Sequence, residues 1–186
     1  MEEKEIVIRM QTGEEQAFYE LYERYKDSMF HTACLICGNQ ADGEDVLQET
    51  FVTAFYHCRE LKKPEMWKYW LFQIMRRKAF EVVKKKKREI PEEKIIELAD
   101  ENFAGQSELE ILEQEERHVI WKVIEKLPIK QKTIIILFYF NGMSVTQISK
   151  IMECSEGTVK SRLFLARNRL KKILTEEIPD ISKSVV

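Results

Sequence analysis

Four prolines and six glycines in 186 residues leave few natural chain breaks, and strict apolar–polar alternation is rare. Together these shortages argue against a sheet-rich fold, whose strands need frequent turns. No apolar run approaches the ~18 residues of a membrane span, so direct membrane insertion is not expected. The opening MEEKEIVIRM lacks the apolar core of a secretion signal, which points to a cytoplasmic protein. Cysteine is sparse as well: Cys34, Cys37, Cys58 and Cys154. Cys34-Leu-Ile-Cys37 is a lone C-x-x-C without a second pair at zinc spacing, so reduced, buried thiols are expected rather than a metal or redox centre. No metal and no cofactor are expected.

Apolar residues at helical spacing fill the gap. Phe18, Leu21, Tyr22 and Tyr25 begin the pattern, and an all-α fold follows from it. Asp42 is placed to cap a helix running DGEDVLQETFVTAFYHC, with Asp45 at its third position favouring the positive end. Leu47, Phe51, Ala54 and Phe55 form the apolar side of that helix, while Asp45, Gln48, Glu49 and Val52 share another. After the break at Lys62-Lys63-Pro64, a long helix is predicted from about Glu65 to Lys87, with Trp67, Trp70, Leu71, Ile74 and Val82 on its stripe. REIPEEKIIELADENFAGQSELE then loses periodicity and reads as a linker that need not fold alone. Helical patterning resumes near Leu109. Pro128 opens IKQKTIIILFYF, which Asn141-Gly142 stops as a left-handed cap.

The net charge of −2 averages over strong segregation. Glu89 to Arg117 holds 11 acidic against 2 basic residues, whereas His118 to Val186 holds 12 basic against 6 acidic. Arg59 to Arg88 alone carries 12 basic against 3 acidic. Two basic surfaces flanking an acidic bridge suit a protein that grips a polyanion twice.

The stretch SVTQISKIMECSEGTVKSRLFLARNRLKKI has the form of a helix-turn-helix. Ser144 and Ser155 each cap a helix, and Glu153-Cys154 makes the turn between. On the second helix Val159, Leu163, Ala166 and Leu170 form the core stripe. Gly157, Ser161, Phe164, Leu165 and Asn168 fall opposite at about 100° per residue. Lys160 and Arg167 flank one edge of that side; Thr158, Arg162 and Arg169 flank the other. The cations fit phosphates, and the short polar and exposed apolar groups fit base edges in a major groove. Packing of Phe164 and Leu165 on a protein neighbour is the competing account. Between Arg59 and Arg88, aromatics interleave with cations. That mixture suits single-stranded nucleic acid, by base stacking and backbone tracking, and suits a core helix with a solvated end equally well.

With DGEDVLQETF, WKYWLFQIMRRKAF and SEGTVKSRLFLAR in this order, the chain resembles bacterial RNA polymerase sigma factors of the extracytoplasmic-function (ECF) group. The resemblance implies two small helical domains joined by an acidic flexible linker: residues 1–88, a linker at 89–112, the helix-turn-helix domain at 113–178 and a tail at 179–186. It implies that Asp45, Gln48, Glu49 and Val52 dock on the β′ clamp helices of core RNA polymerase. Lys62, Lys63, Trp67, Tyr69, Gln73, Arg76 and Arg77 would open promoter DNA at the minus-ten element and take its single-stranded bases, with Lys84 and Lys85 on the duplex upstream. Thr158, Lys160, Ser161, Arg162, Phe164, Leu165, Arg167 and Asn168 would read the minus-thirty-five element. The acidic linker would thread toward the RNA exit path, and an anti-sigma factor, membrane-anchored in many relatives, would be a further partner. Three positions depart from the family pattern. Leu165 stands where an arginine is common, Arg77 where an asparagine is, and Glu81 where an aspartate is. An altered target sequence or a weaker reader follows from Leu165.

Two other readings remain. A dimeric helix-turn-helix regulator acting without core polymerase would need a sensory first half, and neither a ligand pocket nor a βα frame with a phosphorylatable aspartate is legible there. An all-α phosphohydrolase would place Mg²⁺ on Asp42, Glu44, Asp45 and Glu49, but no second acidic cluster accompanies them.

Overall fold

A computed structural model describes residues 2–89 and 120–177. The acidic segment from Ile90 onward, the helical pattern between Leu109 and His118 and the tail at 179–186 lie outside the described residues. Every regular element among the described residues is helical.

Four helices form the first group: α1 (Glu3–Gln11), α2 (Glu15–Cys37), α3 (Gln40–His57) and α4 (Trp67–Glu89). Helix α1 was not among the elements expected from residue spacing. It opens with a capping box between Glu2 and Glu5 and inserts Ile6, Val7 and Met10 into the core. The α2–α3 link is as short as a helical hairpin permits. Gly38 ends α2 with φ 85°, a left-handed conformation that costs glycine little. Asn39 then caps α3, its side-chain oxygen accepting the Asp42 backbone N–H at 2.9 Å. The cap is therefore Asn39 and not Asp42, which sits one turn inside and accepts from the Asn39 side-chain amide at 2.8 Å. The helix thus begins two residues before Asp42, because the asparagine already satisfies the orphan amides there.

The buried side of α3 is Gly43, Val46, Thr50, Phe51 and Ala54. Phe55, expected inside, is 43% exposed at the rim and touches Phe18 edge-on, centroids 5.0 Å apart. Between α3 and α4 the chain makes two single turns, Cys58–Glu60 and Pro64–Met66. The Gln11 side chain spans that break, donating to the carbonyls of Cys58 at 2.7 Å and Leu61 at 2.8 Å. On α4, Trp67, Leu71, Phe72, Met75 and Ala79 are buried, each large one contributing roughly 1.5–3 kcal/mol.

The second group opens with helical residues 120–125. There follow α5 (Ile129–Ile135), with its wide π-type extension Ile136–Phe140, then α6 (Val145–Met152) and α7 (Glu156–Glu177). Gly142, φ 61°, stops the α5 extension where Asn141-Gly142 was expected to. The core does not stop at either group: Met29, Ile36 and Met75 belong to one continuous buried cluster with Ile134, Leu137, Ile148 and Ile151.

Candidate nucleic-acid interface

The turn-helix unit is fixed at both of its starts. Ser144 caps α6 in a full capping box, its Oγ accepting from the Gln147 N–H at 3.2 Å while Gln147 Oε1 accepts from the Ser144 N–H at 2.9 Å. Ser155 Oγ accepts from the Thr158 N–H at 3.1 Å at the start of α7. Thr146 donates to Glu156 at 2.7 Å, tying the two helix starts together. Val159, Leu163 and Ala166 are buried and Leu170 is half-buried, so the α7 stripe faces the core as the spacing predicted.

Opposite that stripe, Gly157, Lys160, Ser161, Phe164, Leu165, Arg167 and Asn168 are all exposed. Phe164 is 65% and Leu165 50% exposed. Two neighbouring apolar side chains on open solvent are costly unless a partner covers them. Thr158 is half-buried, its hydroxyl 2.9 Å from Ser155 Oγ. Arg162 is half-buried over the turn, donating to Cys154 Sγ at 3.8 Å. Arg167 donates to the Tyr139 hydroxyl at 2.9 Å and lies over the Phe138 and Tyr139 rings. Tyr139 belongs to the π-type segment Ile136–Phe140 and is 56% exposed. That clasp was not legible in the sequence.

On α3, Asp45, Gln48, Glu49 and Val52 share one exposed face, and Val52 is 49% exposed. Glu49 pairs with Lys78 of α4 at 3.1 Å. The carboxylates expected to hold Mg²⁺ under the hydrolase reading form no metal cluster among the described residues; Asp42 instead pairs with Lys86 at 2.5 Å.

The residues expected on the minus-ten surface divide into three sets. Lys62, Lys63, Lys84 and Lys85 are exposed. Trp67 is fully buried, tilted against Trp70 with ring centroids 5.5 Å apart. Its expected place on the DNA side is corrected here: a ring with no exposed surface stacks on core neighbours, and its indole N–H finds no partner there. Tyr69, Gln73, Arg76 and Arg77 face α6. The Lys150 ammonium sits 4.7 Å from the Tyr69 ring centre, Gln73 donates to the Lys150 carbonyl at 2.7 Å, and Arg76 donates to the Met152 carbonyl at 3.3 Å. Both arginines pair with Glu153, Arg77 at 2.7 Å. Arg77, one of the departures noted above, thus has a partner in the turn.

Glu153 is the only non-glycine described residue with positive φ, 52°. An L-residue there costs about 1 kcal/mol relative to glycine. Partial burial pushes its carboxyl up, but the bonds from Arg76 and Arg77 outweigh that and hold it below the usual carboxylate range. Elsewhere between the two groups, the Asn141 side-chain amide donates to Thr32 Oγ1 at 2.8 Å. Lys132 is only 8% exposed. Burial lowers its pKa, opposed by Glu125 and the Cys37 thiol. Burial also raises the Cys34 thiol, and that of Cys37 to about 12.

These features define a helix-turn-helix protein with a second, basic and aromatic helix beside it. Residues 21–89 match the family described as Sigma-70 region 2, and residues 117–170 match Sigma-70, region 4. The chain is 28% identical over 175 residues to the ECF RNA polymerase sigma-E factor of Escherichia coli K12, covering 89% of this chain and 90% of that one. The fold is shared with CnrH, solved in complex with the cytosolic domain of CnrY, at TM-score 0.72 and 20% identity over 94% of this chain and 98% of that one. It is also shared with the sigma factor RpoE of Bartonella quintana, solved with the anti-sigma factor NepR, at TM-score 0.63 and 24% identity over 86% and 98%. The chain belongs to the sigma-70 family, as a sigma factor of its ECF group that directs transcription initiation by RNA polymerase.

Proposed function

We propose that the chain rides on core RNA polymerase through the exposed α3 face and reads a promoter at two places. Residues 1–88 act at the minus-ten element, 113–178 at the minus-thirty-five element, and 89–112 join them. Asp45, Gln48, Glu49 and Val52 meet the β′ clamp helices, where acidic groups set register and partner choice more than raw affinity. The exposed side of α7 enters the major groove, with Lys160 and Arg167 on phosphates and Ser161, Phe164, Leu165 and Asn168 at base edges. Tyr69, Gln73, Arg76 and Arg77 take single-stranded bases, with Lys62 and Lys63 on the backbone beside them and Lys84 and Lys85 on the duplex.

The mechanism uses binding energy, with no catalytic chemistry of its own: unpaired bases trapped by one part are held in register by the other. The protein works in the cytoplasm. An anti-sigma factor holds it until it is released, a reading supported by the neighbour RpoE having been solved in complex with the anti-sigma factor NepR, and a membrane-anchored inhibitor would couple it to an external signal. The observation that carries this reading is the α7 face, where two uncovered apolar side chains lie between cations on a capped helix-turn-helix. Run-off transcription of a genomic fragment library with core polymerase tests it. New start sites are expected only when the chain is added, and an unchanged start-site profile refutes it.

A further inference from the structure

We infer that Tyr139 and Arg167 form a two-residue clip for one backbone phosphate, so that a side chain from outside the turn-helix unit joins its duplex-binding surface. The clip presupposes the reading of α7 as the helix facing the major groove, and adds Tyr139 to it.

The pair is assembled before any ligand arrives. Arg167 Nε donates to the Tyr139 hydroxyl at 2.9 Å. The guanidinium carbon lies 5.5 Å from the ring centres of both Phe138 and Tyr139. Those two rings meet edge-on at 75°, and the corner between them holds the cation from two sides. An arginine on an open helix face ordinarily loses rotamer freedom when it binds. This one has already surrendered much of it in the fold, which lowers the entropic cost of gripping an anion.

The donors left over match a phosphate. Nε is occupied, but the two terminal nitrogens of Arg167 meet no acidic partner among the described residues. They present a planar fork suited to two phosphate oxygens. The Tyr139 oxygen accepts from Arg167, which leaves its own hydrogen to donate. Tyr139 is 56% exposed and Arg167 is exposed as well, so all three donors are open to solvent. Lys160 lies seven residues earlier on the same edge of α7, about 10 Å along the axis. Two cations spaced along one edge of a groove-facing helix favour the DNA backbone over an isolated protein carboxylate.

A packing role for the same contact makes a different prediction. An exposed polar contact adds little to stability, so the hydroxyl should be felt in DNA affinity and not in the melting temperature.

The test uses the full chain and a labelled random-sequence duplex, because backbone contacts carry no sequence information. Affinity is measured across a salt series for the parent, Y139F, R167A and the double variant, with thermal melts alongside. Y139F keeps both rings and every charge. It should bind roughly three- to tenfold more weakly, from loss of charge-assisted bonding, at the parent's salt slope. R167A should lower that slope by about one unit, and adding Y139F to R167A should cost less than about twofold more. Y139F binding as tightly as the parent overturns the clip. Tighter binding overturns it too, since Tyr139 would then be withholding Arg167 from DNA. Equal losses from Y139F with and without Arg167 overturn the pairing. An R167A slope equal to the parent's removes this edge of α7 from the phosphates, and the underlying reading of Arg167 falls with the clip. Should Y139F melt well below the parent, Arg167→Lys decides the matter, because it keeps the charge and loses the fork. Weaker binding at an unchanged slope supports the clip there, and affinity equal to the parent's overturns it.

Discussion

Two glycines inside helices have opposite expected responses to the same added methyl group. At Gly43 on α3, a Cβ would lie 2.9 Å from both the Cα and the N of Cys34 on α2, and closer still to its Sγ. Real Cβ atoms do not approach backbone that way, so α3 must move off α2. Overpacking of this kind costs ~1–3 kcal/mol, while replacing a helical glycine by alanine returns up to about 1 kcal/mol of propensity. The loss wins. A net deficit of about 1–2 kcal/mol lowers the melting temperature by roughly 2–8 °C for a chain of this size with one continuous core. At Gly157, in the first turn of α7, the nearest outside atom is Ser155 Oγ at 3.8 Å. Only the propensity gain remains there, and Gly157→Ala should melt at or a few degrees above the parent. Far-UV circular dichroism during heating reads both. Adding Cys34→Ala to Gly43→Ala should rescue only part of the loss, because the backbone contacts persist. A Gly43→Ala protein as stable as the parent would refute the close helix approach.

The other expectations are more direct. Reversing both Asp45 and Glu49 to lysine should abolish association with core polymerase in a pull-down, and retained binding would remove the α3 face from the docking surface. Alanine at both Lys160 and Arg167 should weaken promoter binding and flatten its salt dependence by about two units of log–log slope; a slope like the parent's would take them off the phosphates. Phe164→Ala should leave stability unchanged, as its ring is exposed, and should relax preference at a thymine upstream. Unaltered selectivity would assign the ring to a protein contact. Lys132→Met should be neutral or stabilising, since burial disfavours the charge it removes. With the folded pKa of Lys132 below its ordinary 10.5, the unfolded chain binds more protons between those values. Its contribution to stability therefore rises with pH across that window. Denaturant unfolding at two alkaline pH values should show that rise in the parent and lose it in K132M.

Local rules carried the helix-turn-helix. Serine caps, a glycine stop and a 3.6-residue stripe at Val159, Leu163 and Ala166 each act within a turn or two, and all three reappear in the fold. The cap of α3 was misplaced because Asn39 and Asp42 could each cap a helix start, three residues apart, and only backbone geometry decides between them. Trp67 shows a different limit: periodicity says that a ring lies on a stripe but not whether the stripe is covered. The partnership of Arg76 and Arg77 with Glu153 joins positions 76 residues apart and more. No spacing rule reaches that far. Lys132 was hidden for a related reason, since a lysine in an apolar run reads as a surface break until a second element closes over it.

The Gln11 amide gives the start of the chain an influence over a basic loop some fifty residues away. Because it holds the carbonyls that set up Lys62 and Lys63, trimming the first dozen residues would remove the brace behind that basic loop while every residue of the loop itself remained. An expression tag that unwinds the first helix would do the same, and the damage would be read in an assay as a weak promoter preference.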